Sequence, residues 1–317
     1  MEHAVIQRPC RSTVAVRSAG SQMVDERISY KALKEIHPDV LRARMGEAPQ
    51  EAARWVRAAA LNGIKSAQVA WGQMLLDGQG VERDPEAALR WFAIAAEAGS
   101  LDGVNMVGRC HEFGWGCAPD MAEAARHYLS AAERGHAWAQ FNLATLLLHA
   151  DEFAADPSPV LAWYVRSARL GNAKAMTMIG RFLERGWGRR ARPAAARRWY
   201  RMAALGGDYR GQFDYARTLF EDGFIAEAIS WFSRSIEAAV PDFCRLAEPG
   251  LRKAAHPALD ALADRALDRV REAEARATAL VRAELVRAEA TRKAKPRRRP
   301  ALSWLRYRRA RREKMTP

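Results

Sequence analysis

Arginines spaced 36 residues apart are the side chains of this sequence best suited to bind an anion. Arg109, Arg181 and Arg217 occupy one position of successive segments, and Gln73 and Thr145 complete this arginine column. Guanidinium groups pair well with carboxylates and phosphates. In a helix, the column would lie roughly 120–160° around from the apolar face. We interpret it either as a basic stripe on an inner surface that holds an acidic peptide or a phosphate, or as an ordinary solvated face.

Two tryptophans stand in Gly-Trp-Gly segments and are candidates for contact with a partner protein. Trp115 and Trp187 lie two 36-residue steps apart. Their flanking glycines are expected to leave the rings poorly covered by their own neighbours, and an exposed tryptophan is a good anchor at an interface. The alternative is that each ring packs against the loop of the adjacent segment.

The other reactive residue types form no catalytic or metal-binding pattern. Cys110, His111 and Cys117 are close in sequence, but a zinc site would need a C-x2-C pair and a matching pair elsewhere. We find no glycine-rich phosphate loop, serine-nucleophile elbow or paired-carboxylate motif. The sequence therefore predicts no catalytic residue, no cofactor and no metal, and the protein is expected not to be an enzyme.

The strongest concentration of charge is a basic tail, residues 293–317. Between Arg292 and Lys314 there are twelve basic residues and one acid, or +11 of the chain's net +14. The tail suits an anionic membrane surface, nucleic acid, or a disordered, solubilising role with loose contacts to acidic partners. Attachment should weaken with salt. The candidate residues are Arg297, Arg298, Arg299, Trp304, Arg306, Tyr307, Arg308, Arg309, Arg311 and Arg312.

The 36-residue spacing also predicts the elements that position these side chains. Tryptophan or histidine recurs at this interval, and such a period indicates a helical-repeat array with two helices per copy. In one copy, a first helix is predicted near residues 67–76, and Asp84-Pro85 restarts a second helix that stops at Gly99. No alternating apolar pattern favours a strand. The recurring residues are Trp55, Trp91, His127, Trp163 and Trp199.

Three further columns predict how the helices pack. Two apolar columns, four residues apart on the first helices, predict one buried face. A column of small residues is expected to let the helices approach closely, with the tryptophans of the second helices filling the space as core residues. The apolar columns are Trp71, Val107, Leu143, Ile179, Tyr215 and Leu75, His111, Leu147, Leu183, Leu219; the small column is Ala67, Gly103, Ala139, Ala175, Gly211.

These columns resemble the Sel-one-like (SLR) repeats, relatives of tetratricopeptide repeats. The likeness is carried by alanine pairs, Gly-x-Gly-Val, Trp-aromatic and a final glycine, and is clearest over residues 67–99. It covers roughly residues 50–239, with a weaker copy near residues 30–46. The resemblance implies an α/α superhelix that acts as an interaction scaffold. The recurring cysteine pattern of some secreted, disulfide-bonded members is absent here, and the hydrolase activity attributed to some relatives has no supporting catalytic constellation.

The expected fold is therefore all-α, a solenoid of about five to six 36-residue repeats with a long C-terminal helix. We predict a disordered leader (residues 1–27), a repeat solenoid (28–254), a charged amphipathic capping helix (255–292) and the basic tail. A coiled-coil dimer is the alternative for the capping helix. The start of the protein is either Met1 or Met23.

The sequence favours a non-enzymatic adaptor. The solenoid groove is expected to hold a protein or peptide, and the tail a polyanion or membrane surface. The alternative is a nucleic-acid-associated protein that uses the tail. The four cysteines form no disulfide pattern, no apolar run approaches 18 residues, and the N-terminal segment has no signal-peptide h-region. We therefore expect a cytoplasmic protein.

Overall fold

A computed structural model gives the structure of residues 48–149, 156–187 and 190–294. Within these ranges the regular elements are thirteen helices. Consecutive helices pack together in pairs, which confirms the predicted all-α helical-repeat solenoid. The helices are α1 Pro49–Leu61, α2 Lys65–Asp77, α3 Pro85–Glu97, α4 Leu101–Phe113, α5 Met121–Glu133, α6 Ala137–Leu148, α7 Ser158–Arg169, α8 Ala173–Arg185, α9 Pro193–Leu205, α10 Tyr209–Glu221, α11 Ile225–Ala238, α12 Pro241–Lys253 and α13 Pro257–Ala294.

The described residues divide into two compact units, residues 48–127 (unit 1) and those from 128 to 294 (unit 2), with the boundary inside α5. Helices of two kinds alternate along the chain. The first helices of the repeats are α2, α4, α6, α8, α10 and α12, and the second helices are α1, α3, α5, α7, α9 and α11. From α2 to α10 the first helices begin 36 residues apart, so each sequence repeat is one helix pair.

A column of capping residues starts the first helices. Ser100, His136, Asn172 and Asp208 each accept a hydrogen bond from a backbone N–H in the first turn of α4, α6, α8 or α10. A side-chain cap of this kind stabilises a helix by about 1 kcal/mol. Among the second helices, Asp84 accepts from Ala87 N at 2.8 Å and caps α3, as predicted.

In unit 1, the core lies among α1, α2, α3 and α4. Phe92 of α3 is fully buried, and its ring fills the space opposite Gly72 of α2, where a Cβ atom would lie 2.6 Å from the ring. The turn after α4 lies against the start of α3. A Cβ at Gly116 would lie 2.3 Å from the carbonyl oxygen of Pro85, and Gly116 has a φ of +76°. Contact and backbone conformation thus both require glycine there.

Unit 2 has the same packing and adds the long C-terminal helix. Tyr200 of α9 is fully buried opposite Gly180 of α8, where a Cβ would lie 2.4 Å from the ring. The 38-residue α13 packs against α11 and α12, as expected of a long C-terminal helix. Among the side chains of α13 that the structure describes, the last buried one is Val270, and beyond it four aliphatic side chains are 56% to 67% exposed, namely Leu280, Val281, Leu285 and Val286.

The tryptophan column lies at the edge of the core: Trp91, Trp163 and Trp199 pack against the buried clusters. The prediction that the tryptophans fill the space left by the small residues was wrong. Trp55, Trp91, Trp163 and Trp199 are half-buried. The residue after each position of the column is 0% to 4% exposed instead. Successive residues point about 100° apart around a helix, and it is the second residue that points at the first helix of the repeat. These core residues are Val56, Phe92, Tyr128, Tyr164 and Tyr200.

The small residues of the first helices accommodate alanines, not tryptophans. A Cβ at Gly103 would lie 2.9 Å from the Cβ of Ala95, and a Cβ at Gly211 would lie 2.5 Å from the Cβ of Ala203. The predicted close approach of the helices is therefore confirmed, but its partner was predicted wrongly. The apolar column that begins at Trp71 is buried at all five positions, as predicted.

Candidate partner-binding surfaces

In unit 2, the arginine column is tied into ion pairs between α8 and α10. Arg181 Nε donates to Asp214 Oδ2 at 2.9 Å. The side chain of Asp214 is 13% exposed and that of Arg181 28% exposed, so the pair is largely removed from water. Burial raises the pKa of the Asp214 carboxyl, and the Arg181 guanidinium partly offsets this effect. Arg181 is therefore a link between two helices.

Arg217 extends this network in unit 2. Its guanidinium donates to Glu184 of α8 and, at 2.9 Å, to Glu221 one turn further along α10. Burial alone would lower the pKa of Arg217, but hydrogen bonds to these two carboxylates outweigh it and raise the pKa. Tyr200 donates to Glu184 Oε2 at 2.9 Å, and burial, together with the nearby carboxylates of Asp214 and Glu184, raises the pKa of its hydroxyl.

Arg109 in unit 1 has a different environment. Its guanidinium lies 4.8 Å from the ring centre of Trp115 and 5.9 Å from that of Phe113. Nη1 also lies 3.8 Å from the sulfur of Met106. These are cation–π and weak donor contacts. The positive charge of Arg109 is thus held against aromatic rings on the surface.

Trp115 is better covered than its flanking glycines predict. The ring is half-buried, stacks on Phe113 with ring centres 5.0 Å apart, and packs against the unit 1 core. Gly114 and Gly116 both have positive φ, so the two glycines shape the turn that brings the ring back. Phe113 remains 52% exposed, so an aromatic surface that includes the Arg109 guanidinium stays open to solvent.

Trp187 is held in the same way in unit 2. Its ring meets Phe182 edge-on with ring centres 4.6 Å apart, and the guanidinium of Arg185 lies 5.2 Å from the ring. The expectation of poorly covered rings was therefore wrong for both tryptophans, because side chains of the preceding first helix cover them. Their role in binding a partner stays a prediction.

The cysteine and histidine cluster of unit 1 has no activated nucleophile. Cys117 Sγ lies 3.8 Å from His111 Nδ1, and the His111 ring stacks on His127. Burial raises the pKa of Cys117, and it raises the pKa of Cys110 to about 12, so both thiols are protonated near neutral pH. Burial and the neighbouring His111 lower the pKa of His127. Among the described residues, no three His, Cys, Asp or Glu side chains are placed to share a metal.

A pocket of about 360 Å³, which we call the α10–α12 pocket, opens in unit 2 beside Arg217. Its polar lining residues are Arg217, Glu221 and Lys253. Arg217 and Glu221 are paired with each other, whereas the exposed Lys253 has no ion-pair partner among the described residues. The apolar lining consists of Phe213, Phe220, Phe232, Gly250, Ala254 and Leu259.

A second depression of about 360 Å³ lies at the starts of α6, α8 and α10. It is more polar, since Asn172, Lys174 and Asp208 contribute to its lining, and Trp138 at its edge is 48% exposed. The Lys174 ammonium lies 5.2 Å from the Trp138 ring. The two capping side chains Asn172 and Asp208 therefore also form part of the surface shape of unit 2.

Comparison with known proteins explains the periodic helix pairs. The Sel1 repeat family model matches residues 65–100, 102–136 and 173–208. Each matched range covers one first helix and the second helix that follows it. The chain contains Sel1 repeats. The resemblance found in the sequence is thereby confirmed, and repeats of this family generally mediate protein–protein interactions.

A solved structure shares this helical-repeat fold. The crystal structure of a Sel1 repeat protein from Oxalobacter formigenes is 22% identical in sequence, with a TM-score of 0.61 over 74% of this chain and 99% of that chain. The structure of c5321, a protective antigen present in uropathogenic Escherichia coli strains and displaying an SLR fold, is 26% identical, with a TM-score of 0.49 over 72% of this chain and 56% of that chain. The first of these shows that the fold is shared.

Sequence reasoning missed the carboxylates that pair with the arginine column of this Sel1-repeat protein. Glu184 lies 33 residues before Arg217, and Asp214 lies 33 residues after Arg181. Each pair joins adjacent first helices, and its spacing is three residues, or just under one helical turn, shorter than the 36-residue period. A search for acids just under one period from each arginine would have found both. Lys253 stands one further 36-residue step after Arg217, but α12 begins only 32 residues after α10, so Lys253 occupies the position equivalent to Glu221 and not that of the arginine column.

Several predictions lie outside the described residues. They concern the leader at residues 1–27, the weak copy near residues 30–46 and most of the basic tail. All ten tail candidates, from Arg297 to Arg312, fall in this group. Within the described ranges, none of the helices combines the length and apolar character that a bilayer-spanning helix needs.

Proposed function

We propose that this Sel1-repeat protein is a non-enzymatic scaffold whose repeats bind a protein or peptide partner. The observation that carries the proposal is the match of three Sel1 repeats in phase with the helix pairs, because such repeats generally mediate protein–protein interaction. The strongly perturbed acids and bases of unit 2 support it, since burial and mutual pairing account for them. The three arginines of the column, Trp115 and Trp187 stay predicted partner contacts, but a partner would reach Arg181 and Arg217 only by displacing Asp214 and Glu184.

The basic tail is proposed to attach the scaffold to a polyanion or an anionic membrane surface. The charge balance of +11 between Arg292 and Lys314 and the aromatic Trp304 and Tyr307 support this role. The second candidate function is association with nucleic acid through the same arginines, favoured by the alternation of arginine and aromatic residues. A cytoplasmic location is proposed because Cys110, Cys117 and Cys244 are free thiols.

Affinity purification of the full-length protein and of a variant lacking residues 293–317 tests the scaffold proposal. We expect a defined protein partner to be recovered with both forms, because the repeats hold it. Recovery of partners by the full-length protein alone would contradict the scaffold proposal.

The tail is tested separately with the same two proteins. Binding to anionic vesicles, duplex DNA and RNA is measured at two salt concentrations. We expect the full-length protein to bind at least one of these polyanions more weakly at high salt, and the deletion variant to lose that binding. Identical, salt-insensitive binding by both proteins would remove the tail from the proposed function.

A further inference from the structure

The α10–α12 pocket of unit 2 contains a helical glycine that the fold does not require. Gly72, Gly180 and Gly211 are glycines because a Cβ at each would lie only 2.4 to 2.6 Å from the nearest side-chain atom. Gly250 of α12 differs, because the nearest atom to its Cβ position is Phe213 Cζ at 3.9 Å, an ordinary contact distance. Its φ is not positive either. Steric fit and backbone conformation therefore leave Gly250 unexplained.

The residue before it violates the rules of helix formation as well. Pro249 stands inside α12, where it removes a backbone hydrogen bond and clashes with the preceding turn. Glycine in a helix interior is also unfavourable relative to alanine. Natural proteins depart from local rules mainly at functional sites. The consequence of Gly250 at this position is open space, since it lines the α10–α12 pocket and has no side chain to fill it.

The lining of the pocket defines the chemistry of what would fill it. Phe213, Phe220 and Phe232 form aromatic walls, and Leu259 and Ala254 add aliphatic surface, so an apolar group fits inside. Phe213 and Phe232 meet edge-on with ring centres 4.9 Å apart, which fixes the wall between them.

The charges at the rim specify a neighbouring group. Arg217 is already bonded to Glu184 and Glu221, while Lys253, in the last turn of α12, is exposed and without an ion-pair partner among the described residues. A carboxylate next to the buried apolar group would complement this ammonium. Among the charged residues that line the pocket, Lys253 is thus the one left to recognise an acid.

We propose that the α10–α12 pocket binds a segment of a partner protein in which an aromatic or large aliphatic residue is followed by an acidic residue. The apolar side chain enters the space left by Gly250, and the carboxylate pairs with Lys253. The inference rests on the proposed function in taking the partner to be a polypeptide. It adds to the proposed function the place where the partner binds and the residue types that the bound segment must contain.

The test uses the full-length protein and three capped tetrapeptides, Gly-Phe-Asp-Gly, Gly-Phe-Asn-Gly and Gly-Ala-Asp-Gly. Binding is followed by NMR through the methyl signals of Ala254 and Leu259. The Phe-Asp peptide is expected to shift both signals. The Phe-Asn peptide should bind about two- to five-fold more weakly, because one exposed ion pair is lost. The Ala-Asp peptide should bind at least about ten-fold more weakly than the Phe-Asp peptide, because it lacks the apolar side chain that fills the pocket.

Two variants with matched controls locate the site. Gly250→Leu fills the pocket and is expected to abolish the shifts while the melting temperature stays equal or rises, because leucine is the better helix former. Ala238→Leu adds the same side chain at an exposed position of α11 and should bind as the wild type does. Lys253→Glu should reverse the preference towards a Phe-Lys peptide, whereas Arg201→Glu, at an exposed position of α9, should not.

The outcomes separate this inference from the proposed function. A folded Gly250→Leu variant that binds the Phe-Asp peptide as the wild type does would overturn the inference, as would a Phe-Asp peptide that shifts neither methyl signal. If purified partner proteins still bind the Gly250→Leu variant in that case, the scaffold proposal stands, and only the assignment of the α10–α12 pocket as a binding site is wrong. If neither the peptides nor any purified protein bind the repeats, the scaffold proposal fails with it.

Discussion

Arg109 in unit 1 and Arg217 in unit 2 occupy the same position of the repeat but have different partners. Four residues further on, α4 has Phe113 where α10 has Glu221. Thirty-three residues earlier, unit 1 has the buried Leu76 where unit 2 has Glu184. The guanidinium of Arg109 accordingly lies over aromatic rings, and that of Arg217 between two carboxylates.

This difference shows that a column of like charges is not by itself a binding surface. In unit 2 the charges of Arg181 and Arg217 are neutralised inside the protein, so an acidic ligand would have to displace Asp214 or Glu184. In unit 1 the charge of Arg109 is shared with exposed aromatic surface. Recognition in unit 2 is therefore proposed at Lys253, outside the column.

The largest effect is expected on the unit 1 side, where Gly116 shapes the turn that holds Trp115 over Arg109. Gly116→Ala places an alanine at a positive φ, which is unfavourable for it, and puts its Cβ 2.3 Å from the carbonyl oxygen of Pro85. We expect a loss of about 3 kcal/mol in the free energy of unfolding, measured by urea denaturation. Gly63→Ala is the matched control, because Gly63 has a φ of +81° but nothing within 4 Å. Equal losses in the two variants would contradict the role of the contact.

On the unit 2 side, removal of one ion-pair partner is expected to have the next largest effect. Asp214→Ala leaves Arg181 without its carboxylate in a partly buried position, and we expect a loss of about 2 kcal/mol in urea unfolding. The double variant Arg181→Met/Asp214→Leu should recover most of this loss, since an apolar pair needs no compensation. A single variant as stable as the wild type would show that the pair is a solvated surface contact.

The two units also differ at the core aromatic, which is Phe92 in unit 1 and Tyr200 in unit 2. Both rings pack against a glycine in the same way, but only Tyr200 carries a hydroxyl, which donates to Glu184. Tyr200→Phe makes unit 2 resemble unit 1 at this position. We expect a loss of about 1 kcal/mol in the free energy of unfolding. An unchanged free energy would mean that water replaces the hydroxyl without cost.

A smaller effect is expected from pH in unit 1. The folded-state pKa of His127 lies below its ordinary value of 6.5, so the unfolded state takes up a proton first as the pH falls. The contribution of the neutral His127 side chain to the free energy of unfolding is therefore fully present above about pH 6.5. It is lost as the pH falls from there through the folded-state pKa of His127. Urea unfolding at a series of pH values should show this decline, and His127→Phe should reduce it. The same pH dependence in both proteins would count against His127.

The smallest change in the free energy of unfolding is expected when the neighbour of Arg217 is replaced by the residue type found beside Arg109. Glu221→Phe replaces the carboxylate four residues from Arg217 with an aromatic ring, as in the pair Arg109 and Phe113. An ion pair at this spacing and an exposed cation–π contact are of similar strength, so the change should stay within about 0.5 kcal/mol. A loss above about 1.5 kcal/mol would show that Arg217 depends on both of its carboxylates.

Much of the fold follows from the period, because columns of small and apolar residues define which helix faces meet. The burial of the Trp71 column and the Asp84 cap were predicted correctly for this reason. The period does not reveal which of two adjacent aromatic residues faces the core, since Trp199 and Tyr200 repeat together. That choice depends on the rotation of the second helix against Gly180, which is a tertiary contact.

The candidate site was less predictable than the fold. The arginine column was visible in the sequence, but its partners come from adjacent helices and repeat irregularly along the chain. Asp214 has no acidic equivalent in the other repeats, Glu184 has one in Glu112, and Leu76 shows that the equivalent position need not be acidic. Lys253 lies beyond the shortened repeat, where the register of the columns no longer applies, so only the structure places it beside Phe213 and Phe220.

The most direct test of this account compares two charge removals, Arg181→Gln and Lys253→Gln, by the affinity of the full-length protein for the Gly-Phe-Asp-Gly peptide. If the arginine column is framework and Lys253 recognises the acid, Lys253→Gln lowers the affinity about two- to five-fold. Arg181→Gln then leaves it unchanged, although it lowers the stability of the fold. A loss of affinity with Arg181→Gln and none with Lys253→Gln would contradict the account.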